Sequence, residues 1–77
     1  MTKTTVTGGG TVVISYRPEE VALETAIPLP GFQVELDKTG PDAVDVEFEG
    51  EGGRFRFRAE WKDGGLDIEV DEDLSDD

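Results

Sequence analysis

Carboxylates and a short run of alternating arginines are the chain's main chemical resources. Asp and Glu supply 19 side chains, and the sequence holds no histidine and no cysteine. Two carboxylates can share general acid and base work, but a glycosidase-type pair must be held about 5 to 9 Å apart around a substrate cleft. Here the acids fall at alternate positions, as in Asp45, Glu47 and Glu49, which is the spacing of a solvated strand face. Ser15 and Ser75 are the only serines and lack a histidine base, so a Ser-His-Asp nucleophile is excluded. Gly8-Gly9-Gly10 and the Gly50 to Gly53 stretch fit neither of the glycine patterns that cradle phosphates. The oxygen ligands between Asp63 and Glu69, and in Asp71 to Asp73, miss the spacing of an EF-hand loop. The expectation is therefore a non-enzyme with no catalytic residue, no metal site and no cofactor.

Arg54-Phe55-Arg56-Phe57-Arg58 has the composition of a nucleic-acid surface. Strand alternation, however, sends its phenylalanines and arginines to opposite faces, and a base-stacking platform needs both on one face. Trp61 reads first as a core or rim aromatic and second as an anchor for a partner. Together with Asp45 and Glu47 on an acidic strand, Trp61 forms the set of candidate partner contacts.

These residues sit in a chain of 77 residues with a formal net charge of -12. That size supports one domain with a modest core. The charge repels nucleic-acid backbones and anionic membranes, so direct binding to either is not expected, and no specific small molecule is predicted. No apolar run approaches the roughly 20 residues of a membrane-spanning helix, and Met1 to Val6 lacks a signal-peptide apolar core, so a cytoplasmic location is the expectation. With few lysines among abundant carboxylates, the balance fits a halophilic protein, working where salt screens self-repulsion.

The elements that must carry these side chains read mainly as strands. In Thr11 to Arg17, Val12, Ile14 and Tyr16 share one side. Residues 18–26 are ambiguous: Pro18-Glu19-Glu20 opens a short helix well, while the alternation of Val21, Leu23, Thr25 and Ile27 favours a strand. Clear alternation follows in Phe32 to Asp37, Val44 to Glu49, Arg54 to Trp61 and Leu66 to Val70. Asp63-Gly64 is a favoured two-residue hairpin centre. It predicts Trp61 opposite Leu66, Ala59 opposite Ile68 and Phe57 opposite Val70. A loop at Gly50 to Gly53 predicts Phe48 opposite Phe55, Val46 opposite Phe57, Glu47 opposite Arg56 and Asp45 opposite Arg58. Aligning Val34 with Val46 would place Glu35 against Asp45, an unfavourable like-charge pair.

The expected fold is thus mainly β: a five- or six-stranded antiparallel sheet, curled into a small barrel or split sandwich, with a C-terminal three-stranded meander. A cover from a second copy is the alternative to curling. Residues 1–10 read as a flexible N-terminal segment in which Thr4 to Thr7 could add an edge strand, 11–70 as the single β domain, and 71–77 as an acidic disordered tail.

Phe32-Gln-Val-Glu-Leu-Asp37, and Phe55-Arg-Phe-Arg-Ala-Glu-Trp61 followed by Gly65-Leu-Asp-Ile-Glu69, resemble the C-terminal β portion of the amphi-Trp domain family. The resemblance covers about Phe32 to Val70. It implies a small acidic haloarchaeal protein with Trp61 at the family's signature aromatic, and it carries no defined activity. The function expected is a noncatalytic domain that binds or regulates an unknown protein partner or self-associates. The alternatives are a nucleic-acid mimic that inhibits a basic DNA-binding protein, and a small enzyme using carboxylates.

Overall fold

The computed structural model describes residues 1–74. Seven strands follow in order: β1 (Thr2–Val6), β2 (Gly10–Arg17), β3 (Glu20–Pro28), β4 (Phe32–Thr39), β5 (Ala43–Gly50), β6 (Gly53–Lys62) and β7 (Gly65–Leu74). They form two antiparallel sheets, β1-β2-β3 and β4-β5-β6-β7. This corrects the expectation of a five- or six-stranded sheet curled into a barrel or split sandwich. It also removes the helix alternative at 18–26, which lies in the β2–β3 hairpin and the body of β3.

Proline explains the break between the sheets. Pro28 and Pro30 flank the β3–β4 corner and have no amide to donate to a continuing ladder. Pro30 and Gly31, whose φ is 89°, instead form a turn closed by the Phe32 amide on the Leu29 carbonyl at 2.9 Å. Barrel closure needs β3 to bond β4, and β3 pairs with β2 alone.

The two sheets pack face to face, mainly through β3, which lies over β4, β5 and β6. Val12, Ile14 and Val21 from the first sheet meet Val44, Val46, Phe48, Phe55, Phe57 and Ala59 from the second in one buried cluster. Few polar links cross between them: the Val21 amide reaches the Pro41 carbonyl at 3.0 Å, and the Trp61 indole reaches the Glu20 carbonyl at 2.9 Å. Gly40-Pro41, a cis peptide, lies in the β4–β5 loop.

The C-terminal meander has the predicted register throughout, including Trp61 with Leu66, Phe57 with Val70, Phe48 with Phe55 and Asp45 with Arg58. Asp63 and Gly64 both have positive φ, 50° and 81°, as a two-residue hairpin of type I′ requires. On the other side of the sheet, Val34 pairs with Phe48 and Leu36 with Val46. Glu35 therefore faces Glu47, in place of the expected Asp45. An extra residue, Asp37, then shifts the register and sets Lys38 opposite Asp45.

A second irregularity reorganises β3. Val13 pairs with Thr25 but Ile14 with Leu23, so Glu24 is the surplus residue. Val21 and Leu23 point to the core, and after the bulge Ala26 takes over while Ile27 turns outward, 58% exposed. Simple alternation had placed Ile27 with Val21.

Residues 1–10, read as a flexible segment, hold β1 and a packed turn. The Thr7 hydroxyl accepts the amides of Gly9 and Gly10 at 3.1 Å and donates to the Gly10 carbonyl at 2.9 Å. A side chain on Gly10 would press on Phe48, 2.7 Å from its ring, so the glycine run answers a packing demand. Of the expected acidic tail, Asp71 to Leu74 continues β7, and residues 75–77 lie outside the described residues.

Candidate functional site

Alternation along β5 and β6 puts apolar side chains into the core and Asp45, Glu47, Glu49, Arg54, Arg56, Arg58 and Glu60 on the outer face of the four-stranded sheet. The two shortest ion pairs there are diagonal. Arg56 grips Asp45 in a two-point contact, Nε to Oδ1 at 2.9 Å and Nη2 to Oδ2 at 2.7 Å, although its directly opposite neighbour is Glu47. Arg54 likewise reaches Glu47 at 2.9 Å. Arg58 closes on Glu60 at 3.5 Å, and its Nε is buried without a hydrogen-bond partner among the described residues.

Asp45 is 4% exposed, an unusual setting for a carboxylate on an outer face. The Arg56 hydrogen bonds hold its carboxyl below the usual range; burial opposes them, and the charges of Arg56, Arg58 and Lys38 assist. Lys38 is nearby because of the β4 bulge. Asp45 raises Arg56 in turn, so the pair is locked in its charged form.

Trp61 lies on the other side of this sheet, at the rim of the core. Its indole Nε1 donates to the Glu20 carbonyl at 2.9 Å and so ties the end of β6 to the start of β3. The structure thus brings Asp45 and Glu47 together on the outer face and holds Trp61 apart from them. All three are engaged within the chain.

What carries no such engagement was foreseen from the sequence only in outline, as a free edge strand or the segment 18–30, with none of its residues named. Residues 1–18 contain Lys3 and Arg17 and no carboxylate; Glu19, Glu20 and Glu24 are the only acids before β4. Almost the whole net charge therefore belongs to the second half of the chain. Across the outer face of the three-stranded sheet run uncharged rows: Val6, Thr11 and Ile27, then Thr4, Val13 and Thr25. Val6 is 76% exposed and Ile27 58%. The legible signal was the β-branched run Thr2-Lys3-Thr4-Thr5-Val6-Thr7, which the glycines after it obscured.

The groove beside Tyr16, Arg17, Glu20 and Pro41 has Glu20 as its one carboxylate, and Glu20 pairs with Arg17. Among the described residues no three Asp or Glu side chains converge as a metal site. Among the described residues no helix is long and apolar enough to cross a membrane. Compared with known proteins, the chain matches no family model, no curated protein and no solved structure.

Proposed function

We propose that the chain is a noncatalytic contact domain that meets a protein, or another copy of itself, through its three-stranded sheet. One observation carries this reading: in a chain of net charge -12, the outer rows Val6-Thr11-Ile27 and Thr4-Val13-Thr25 of the three-stranded sheet are uncharged and expose Val6 and Ile27. Contact surfaces are depleted of charge at their centres, because desolvating carboxylates costs more than the contact returns. The four-stranded sheet has the opposite character. Its central arginines are occupied by Asp45 and Glu47, and its remaining acids suit a hydrated, halophilic surface.

The test is a photo-crosslinking residue placed at Val6, in the same exposed row on the edge strand, or, separately, at Glu69, in cells that make the protein. Adducts of discrete mass from Val6 and none from Glu69 are expected. Adducts from Glu69 alone, or from neither position, contradict the reading.

A second reading, mimicry of a nucleic-acid backbone, draws on β7. Asp67, Glu69, Asp71 and Asp73 share one exposed face of that strand, and alternate strand residues repeat at about 6.6 Å. Among the described residues only Asp67 of these makes an ion pair, with Lys62 at 3.8 Å, although Glu69, Asp71 and Asp73 lie opposite Arg58, Arg56 and Arg54 in the ladder. Adducts from Glu69 to a basic DNA-binding protein, lost on adding DNA, would favour mimicry over the first reading.

A further inference from the structure

The outer edge of β1 leaves a regular set of backbone groups unpaired. Met1 and Tyr16 exchange both backbone bonds, at 3.0 Å and 2.7 Å, and at the other end the Thr7 amide reaches the Gly10 carbonyl at 2.8 Å. In an antiparallel ladder such pairs alternate with pairs that make no bond to each other. Lys3 and Thr5 therefore bond to β2, while Thr2, Thr4 and Val6 turn their amides and carbonyls away from it. These groups have no partner among the described residues.

We propose that a second copy of this chain occupies that edge, β1 against β1 about a twofold axis at Thr4. This rests on the contact reading above and names its partner. In that register Thr4 exchanges bonds with Thr4 of the second copy, and Thr2 with Val6, so every outward donor and acceptor of the strand is used. Facing threonines also pair favourably. Lys3 falls opposite Thr5. Shifting the axis to Lys3 would set two lysines directly against each other, and shifting it to Thr5 would leave Thr2 unbonded. Charge selects the same edge. The second copy is equally acidic, and pairing β7 with β7 would oppose rows of carboxylates, whereas β1 and β2 carry none. Because the sheets meet mainly through β3, β1 is also the strand at the far side of its sheet from that junction. The result is a closed dimer with one continuous sheet, β3-β2-β1 followed by β1-β2-β3 of the second copy.

The native chain has no cysteine, which makes disulfide trapping clean. The partners of a bonded antiparallel pair have Cα atoms about 5.5 Å apart, within disulfide reach. Under mild oxidation in about 1 M KCl, which shortens electrostatic repulsion to roughly 3 Å, Thr4→Cys is expected to form a covalent dimer at least tenfold faster than Glu72→Cys on the β7 edge. Thr2→Cys mixed with Val6→Cys is expected to link, and neither to link alone. Sedimentation of the unmodified chain should reach twice the monomer mass as concentration rises. Thr4→Pro, which removes an outward amide and spares the bonds to β2, should stay monomeric with unchanged circular dichroism. A monomer at all concentrations with equal trapping at Thr4→Cys and Glu72→Cys overturns the proposal, as do open-ended polymers. If the chain is monomeric but Val6 still crosslinks to another protein, the second copy is wrong and the contact reading stands; if Val6 yields nothing, both fail.

Discussion

On the four-stranded sheet every outward position from Asp45 to Glu49 on β5 and from Arg54 to Glu60 on β6 carries a charge, while the outer rows of the three-stranded sheet are Thr, Ser, Ala, Val and Ile, apart from the Arg17–Glu20 pair at the hairpin end and the exposed bulge residue Glu24. Both faces are exposed, and only one is blocked against association. The free edges repeat the contrast: β7 is lined by acids, and β1 has a single lysine. Charged edges keep strands apart, so the bare edge is where a β protein is able to meet another chain. One core underlies both sheets, and stability and association can therefore be separated by mutation.

The largest expected effect ignores the contrast because it strikes that shared core. Phe57→Ala in the four-stranded sheet should cost about 3 to 5 kcal/mol and Ile14→Ala in the three-stranded sheet about 2 to 5 kcal/mol. Both side chains are fully buried. Urea or thermal unfolding followed by circular dichroism should show one transition in each variant; a sheet that melts alone would break the shared-core account.

Next comes the lock on the charged face. Asp45→Asn should cost about 1 to 3 kcal/mol at neutral pH. The folded carboxyl is held below its ordinary value, so at low pH the unfolded chain binds more protons and stability rises with pH. The contribution is full above about pH 4, the ordinary aspartate range, and is lost as pH falls through the folded value. The Asn variant should therefore show a shallower loss of stability below pH 4 than the native chain.

A smaller pair of changes separates the sheets by their response to salt. Glu19 sits at φ 66° in the β2–β3 turn, a conformation costing a non-glycine residue about 1 to 2 kcal/mol. Glu19→Gly should therefore stabilise by about 1 kcal/mol, and to a similar extent at low and high KCl. Glu35 faces Glu47 across β4 and β5. Glu35→Lys should stabilise by about 0.2 to 1 kcal/mol at low salt, with the gain shrinking in about 1 M KCl. Equal salt responses of the two variants would remove the electrostatic distinction between the sheets.

The parts of the fold that could be read in advance are those where a turn pins the register and one face is uniformly apolar. Asp63-Gly64 did so for β6 and β7, and the Phe48 and Phe55 pair for β5 and β6. Bulges defeated the same reasoning elsewhere, because one surplus residue, Glu24 or Asp37, exchanges the faces of everything beyond it. The barrel expectation took the prolines at 28 and 30 as the end of one strand, whereas they divide two sheets. Gly8-Gly9-Gly10 has the composition of a linker, and nothing local shows that the rings of Phe48 and Phe55 occupy the space a side chain would need. Aromatic and charged residues drew attention to Trp61, Asp45 and Glu47. The bare edge at Thr2, Thr4 and Val6 is defined by which backbone groups β2 leaves unused, a property of pairing parity that side-chain identity does not encode.

The most direct measurement compares the two edges within one sample: residue-resolved amide hydrogen exchange at low and high protein concentration in about 1 M KCl, where the Debye length is roughly 3 Å. Protection at Thr4 and Val6 should rise with concentration while the outward amides of β7, at Ile68, Val70 and Glu72, stay unchanged. Concentration-dependent protection on β7, or none on β1, would contradict the division of labour between the sheets.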